Sequence, residues 1–319
     1  MGEMIKTSGK IFGSVLNHTN YFRTSEGVTL YFEDWGQGKP IVLIHGWPLN
    51  CDMWEYQASG LVEQGFRVIK YDRRGFGRSS KPFQDYHFDQ LAADLHELIV
   101  HLNLSDVTLV GFSMGGGEVA RYLKKYGHAR VEKVVLVSSV VPYLLKTYDN
   151  TDGVDESVFE KIQASLKEDR QHFARNFTKD FYGVGLLTSP VSEEIMHWTF
   201  GMAMQASPKA TYECVSSFAL TDFREDLSAF TMPTLVIHGT EDKTVPMEPT
   251  GLQAAMAIPG ASLKKYEGAP HGLFITHKDE LLEDIAAFVS SQRHLDHLSP
   301  HRFEEPRSRP QRPEINPGL

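Results

Sequence analysis

Residues 107–120 read "VTLVGFSMGGGEVA". An apolar run ends at Phe112, and a helical pattern begins at Met114. Between them Gly111-Phe112-Ser113-Met114-Gly115 forms a Gly-x-Ser-x-Gly. Directly after a strand and before a helix, this spacing describes a turn so tight that the serine takes a strained backbone and the flanking glycines make room for it. The Ser113 hydroxyl then stands at a helix N-terminus, where unpaired N–H groups and the helix dipole favour negative charge. A plain glycine-rich phosphate turn is the competing reading. Neither a Walker lysine nor a GxGxxG accompanies it.

Working outward, short apolar runs alternate with helical patterns. The runs are 28–35, 41–44, 66–72, 107–112, 131–139, 233–239 and 261–267, with helical periodicity over 52–64, 87–102, 114–127 and 279–292. In the second of these helices Leu91, Leu95, Leu98, Ile99 and Leu102 recur on one face. Apolar strands alternating with helices predict an α/β fold whose mostly parallel sheet is covered on both faces, with the first hairpin as an antiparallel edge. The rhythm breaks between 141 and 228. This stretch holds helical patterns and no clear strand, and it is far too long for a loop. It is expected to form a helical cap over the carboxyl edge of the sheet, where open α/β sheets bind ligands. The core would then comprise 21–140 and 229–292, preceded by an extension over 1–20. Residues 293–319 are rich in Pro, Arg, Glu and His and predict a disordered tail. His294, His297 and His301 fall in that tail and are expected to be solvated.

The 319 residues are 41% hydrophobic and 23% charged, an ordinary globular balance, with a net charge of -9. An acidic chain does not suit nucleic acid or an anionic membrane surface. Cys51 and Cys214 are too few for a disulfide framework and have no metal-ligand spacing. No secretory signal and no apolar run of membrane-spanning length is visible, and Lys6 disfavours myristoylation. The expectation is a cytoplasmic protein. Composition leaves homo-oligomerisation open.

A nucleophilic serine needs a base and an orienting acid, which in this architecture follow in the order Ser, Asp/Glu, His. "PTLVIHGTEDKTVP" (233–246) places Glu241 and Asp242 just past a strand, and "ASLKKYEGAPHGLF" (261–274) places His271 in a Gly/Pro loop after the last one. Only one of the adjacent carboxylates can face His271. The strand ending in Ser138-Ser139 supplies no carboxylate, and Asp222, Glu225 and Asp226 read as a solvated helix start. His45 and His238 read as structural, and His277 as a cap or surface residue. A developing oxyanion also needs donors. One expected donor is the Met114 N–H, and the other comes from the loop His45-Gly46-Trp47-Pro48. Pro48 has no N–H, so Trp47 is the candidate.

The stretches "YFEDWGQGKPIVLIHGWPL", "YDRRGFGRSS", "VTLVGFSMGGGEVARY", "FALTDFREDL", "PTLVIHGTEDKTVP" and "GAPHGLFITHKDEL" run in order from about residue 21 to 290. Together they resemble the α/β-hydrolases, and within them the bacterial aryl esterase and cofactor-free haloperoxidase (perhydrolase) group. The resemblance implies Ser113 as nucleophile, Asp242 as acid, His271 as base, and Trp47 and Met114 as oxyanion donors. It implies no cofactor, metal or haem. It implies a small ester or acyl substrate, with hydrogen peroxide as an alternative acceptor of the acyl group; the peracid released oxidises halide in solution. In this group a proline at the position of Pro48 is associated with perhydrolysis. It would aim the Trp47 carbonyl at a peroxide O–H.

An apolar pocket is expected from Trp47, Pro48, Phe112, Met114, Val140, Phe181, Trp198, Met202 and Phe274, with Leu273 nearby. Lactonase, γ-lactamase and C–C hydrolase activities share the fold and the serine. Haloalkane dehalogenases and epoxide hydrolases need a carboxylate where Ser113 stands. A weakly catalytic binding protein is the alternative from another class.

Overall fold

A computed structural model describes residues 20–185 and 188–291. The expected N-terminal extension (apart from Asn20), the C-terminal tail and its three histidines lie outside the described residues.

Eight strands form one sheet in the order β1-β2-β4-β3-β5-β6-β7-β8. They are β1 (Tyr21–Arg23), β2 (Thr29–Trp35), β3 (Pro40–Ile44), β4 (Arg67–Tyr71), β5 (Val107–Phe112), β6 (Val131–Val137), β7 (Thr234–Gly239) and β8 (Ser262–Tyr266). β1 and β2 pair antiparallel, and β2 lies antiparallel on β4. The remaining pairs are parallel. The antiparallel hairpin is therefore at the edge, as the alternation of 28–35 predicts.

The central strands are largely apolar because both faces are covered, with a few polar side chains such as Thr108 and Lys133 buried among them. Their side chains alternate between two cores. Val42, Ile44, Leu109, Val134 and Leu136 face one, with Leu91, Leu95 and Leu98 of α2 (Phe88–His101) and Val119 and Ala120 of α3 (Met114–Tyr126). Ile41, Leu43, Val110, Phe112, Val135 and Val137 face the other, with Ala58 and Leu61 of α1 (Glu55–Glu63) and Leu281, Ile285 and Val289 of the C-terminal helix Lys278–Ser290. A period of two splits each strand between the faces.

Between β6 and β7 lie three helices: α4 (Glu156–Phe181), α5 (Glu193–Gln205) and α6 (Pro208–Leu220). Serine or aspartate caps open all three. Asp155 accepts the Ser157 N–H, Ser192 accepts that of Ile195, and Ser207 accepts that of Ala210. These helices are the inserted cap. The segment before α4 also carries two isolated bridges, Leu145–Val154 and Thr147–Asn150, which helical periodicity does not anticipate. Two short helices, α7 (Gln253–Ala257) and α8 (Leu273–Thr276), precede the C-terminal helix, α9. No described helix is long and apolar enough to cross a membrane.

Candidate active site

The Ser113 turn is built by close packing. A Cβ on Gly111 would lie 2.7 Å from the Gly115 carbonyl oxygen, and one on Gly115 would lie 2.7 Å from that of Ile44. The strand and α3 can therefore approach only through glycine. Ser113 itself sits at φ 54°, ψ -120°, a conformation costly for a residue with a side chain and characteristic of functional turns.

Three loops at the carboxyl ends of parallel strands bring the predicted residues together. His271 Nε2 lies 3.0 Å from Ser113 Oγ. His271 Nδ1 lies 2.7 Å from Asp242 Oδ2. These partners place the ring proton on Nδ1 and leave Nε2 free to accept from the serine hydroxyl. The other Asp242 oxygen accepts the N–H groups of Thr244 (3.0 Å) and Val245 (2.8 Å). His238 Nε2 stands 3.5 Å from Oδ2 while donating to the Val245 carbonyl at 2.8 Å. Burial pushes the Asp242 carboxyl upward. The adjacent His271 and the hydrogen bonds from His238 and His271 outweigh it and hold the group well below the usual carboxylate range. Glu241 is exposed and meets the site only through its backbone, which donates to Ala269 O.

Met114 is the first residue of α3. Its N–H donates to no acceptor among the described residues, and the same holds for the Trp47 N–H. The Trp47 loop passes tightly over Ser113, since a Cβ on Gly46 would lie 3.0 Å from Ser113 Cβ. The Trp47 indole reaches into the cap. Its Nε1 donates to Thr211 O at 2.9 Å, and its ring meets Phe177 (5.3 Å) and Phe218 (5.5 Å). The Trp47–Pro48 peptide is cis.

A cavity of about 70 Å³ opens at Ser113 and His271. Trp47 and Val140 line it from the core, and Leu144, Phe159, Ile162, Phe177 and Phe218 from the cap segment. It shares Val158, Ile162, Phe177, Lys243 and Thr244 with an open cleft of about 1050 Å³. This corrects most of the expected pocket. Phe112, Phe181 and Phe274 point into the core and pack against one another, with Phe112 and Phe181 against the His271 ring at 4.9 and 5.1 Å. Met202 and Leu273 are buried in the same cluster, with Trp198 packed on its margin. Pro48 and Met114 are buried beside the cavity without lining it. Of the cap walls that sequence reasoning missed, Leu144 precedes α4, Phe218 lies on α6, and Phe159, Ile162 and Phe177 lie on the apolar face of α4. Its signal is the spacing of Phe159, Ile162 and Leu166 ahead of Phe173 and Phe177.

One other group of donors converges among the described residues: Glu33, Cys51 and Asp52. Lys70 lies 2.7 Å from Glu33, and Arg78 lies 2.8 Å from Asp52. Cations already balance these carboxylates, and burial pushes the Cys51 thiol far up. The set does not fit a metal ion.

A family model for the alpha/beta hydrolase fold matches residues 39–278. The chain is 48% identical over 258 residues to a putative non-heme chloroperoxidase of Synechocystis, covering 81% of this chain and 93% of that one. A bifunctional esterase/perhydrolase of Acinetobacter calcoaceticus is 35% identical over 274 residues, covering 85% and 99%. Among solved structures, a bromoperoxidase from Bacillus anthracis superposes with a TM-score of 0.81 at 48% identity, covering 84% of this chain and 97% of that one.

Proposed function

The chain belongs to the α/β-hydrolase fold family, and from that premise we propose that it is a serine esterase with perhydrolase activity, acting through an acyl-serine. The hydrogen-bonded series Ser113–His271–Asp242 carries this reading. His271 Nε2 takes the Ser113 proton as Oγ attacks the ester carbonyl. Asp242 keeps the ring in the Nδ1–H tautomer and stabilises the imidazolium that forms. The negative charge that develops on the carbonyl oxygen is met by the Met114 and Trp47 N–H groups, both without another acceptor among the described residues. The alcohol leaves with the proton from His271, and Ser113 holds the acyl group.

The second half-reaction needs an acceptor. Water gives the free acid. Hydrogen peroxide attacking the same carbonyl gives a peracid and restores the Ser113 hydroxyl, with His271 moving the proton in each case. The names of the Acinetobacter and Synechocystis relatives support the peroxide branch. The Trp47 carbonyl accepts no hydrogen bond from a described residue, so it is available to a peroxide O–H. The small apolar cavity at Ser113 suits a short acyl group, with the alcohol portion in the open cleft.

Turnover of p-nitrophenyl acetate by wild-type protein and by Ser113→Ala tests the first half. Equal rates overturn it. For the peroxide branch, Pro48→Leu is expected to lower peracid formation relative to hydrolysis, and an unchanged ratio removes Pro48 from that role.

A further inference from the structure

The His45 ring is completely buried beside the Trp47 loop. Its Nε2 lies 3.0 Å from the Arg73 backbone N–H. That N–H can only donate, so Nε2 must present a lone pair and the ring proton sits on Nδ1. Nδ1 lies 2.9 Å from the Gly46 carbonyl oxygen and donates to it. An Arg73 guanidinium nitrogen also stands 3.3 Å from Nδ1. Both are donors, so this contact is proximity and not a hydrogen bond. The Gly46 oxygen receives a second donor, the Leu49 N–H, at 3.1 Å.

The consequence lies in one peptide plane. Gly46–Trp47 is not among the cis bonds, so its C=O and N–H point in opposite directions. Clamping the Gly46 oxygen between His45 and Leu49 aims the Trp47 N–H the other way. The clamp has its own support. Arg73 donates to the His45 carbonyl at 2.6 Å and pairs with buried Glu118, which also accepts the Tyr71 hydroxyl at 2.5 Å. Burial and the charge of Arg73 push His45 down to about 3, so the ring stays neutral with one donor and one acceptor.

We infer that His45 is a positioning residue for the transition state. The Arg73 N–H selects its Nδ1–H tautomer, and that tautomer holds the Gly46 carbonyl so that the Trp47 N–H faces the oxyanion. This rests on the acyl-transfer reading above.

Two substitutions separate the ring's two hydrogen bonds. His45→Asn keeps a donor near the Nδ1 position. His45→Gln reaches the Arg73 N–H and leaves the Gly46 oxygen without its side-chain donor. His45→Gln is expected to lose about 10²-fold in kcat on p-nitrophenyl acetate, with KM little changed. His45→Asn is expected to stay within about tenfold of wild type. Equal losses in the two variants, or a Gln variant with wild-type kcat, overturn the proposal. If circular dichroism shows either variant unfolded, nitrogen NMR of ¹⁵N-histidine-labelled wild-type protein decides. A protonated Nδ1 with bare Nε2 at His45 supports the proposal, and the opposite tautomer overturns it. A Ser113→Ala control run alongside separates the two ideas. Undiminished turnover there sinks the acyl-transfer reading, while the tautomer measurement still reports on His45.

Discussion

The sheet's carboxyl edge and the helical cap meet at the same cavity, yet they are specified differently. At the edge, directional hydrogen bonds and a tight turn hold the groups around Ser113. Asp242 is held by two N–H groups, the Gly46 carbonyl by two donors, and Ser113 by a turn that requires glycine two positions to either side. The cap side contributes apolar walls: Phe159, Ile162, Phe177 and Phe218 present carbon to the cavity. Directional bonds fix where charge develops, whereas packing fixes only shape and size. Substitutions at the edge should therefore strike the rate, and substitutions in the cap should move substrate preference.

The largest expected break is Asp242→Asn. Without the carboxylate, His271 loses the partner that sets its tautomer, and kcat should fall by about 10³–10⁴-fold while the fold is retained. Steady-state kinetics beside near-ultraviolet circular dichroism checks this, and a loss below tenfold would contradict it.

Next is the acid response of the edge. His45 drops from its ordinary 6.5 to about 3 in the folded protein. Between those values the unfolded chain binds a proton that the folded chain does not, so stability falls as pH drops through that window. The slope is at most about 1.4 kcal/mol per pH unit from this group. Asp242 acts in the same sense at lower pH. Its folded pKa is depressed, so its contribution is present above the ordinary carboxylate value of about 4 and is lost as pH falls below it. Urea unfolding at several pH values should show a flatter dependence between pH 6 and 4.5 in His45→Asn than in wild type.

A smaller effect is expected from the cap. Ile162→Ala enlarges the wall shared by the cavity and the cleft. The ratio of kcat/KM for p-nitrophenyl butyrate over acetate should rise by about tenfold, roughly one methylene's worth of apolar contact. An unchanged ratio would remove α4 from selectivity. The smallest effect belongs to Arg224, which pairs with Asp149 and Asp222 at the surface. Arg224→Ala should change unfolding stability by less than about 1 kcal/mol.

The same contrast explains what the sequence made legible. The central strands are readable because burial on both faces leaves nearly continuous apolar runs, as over 109–112 and 134–137. Ser113 and His271 are readable because tight turns demand glycine and proline around them. The choice between Glu241 and Asp242 was not settled by spacing. Its signal is chemical: the shorter Asp242 side chain accepts the N–H groups two and three residues ahead, a turn that glutamate is too long to close. The pocket was the least legible part. Phe112, Phe181 and Phe274 are apolar and near the motifs, but proximity in sequence does not say which face a side chain takes. They pack behind His271, and residues of α4 and α6 more than forty positions from Ser113 line the cavity instead.

The proposed mechanism depends on Ser113 as the residue that carries the acyl group. Treating the protein with a p-nitrophenyl alkylphosphonate, which phosphonylates an activated serine and releases p-nitrophenol, addresses it most directly. Intact-protein mass should rise by one phosphonyl group, peptide mapping should place it on Ser113, and Ser113→Ala should gain nothing. Labelling of another residue, or equal labelling of the Ser113→Ala protein, would rule Ser113 out as the acyl carrier.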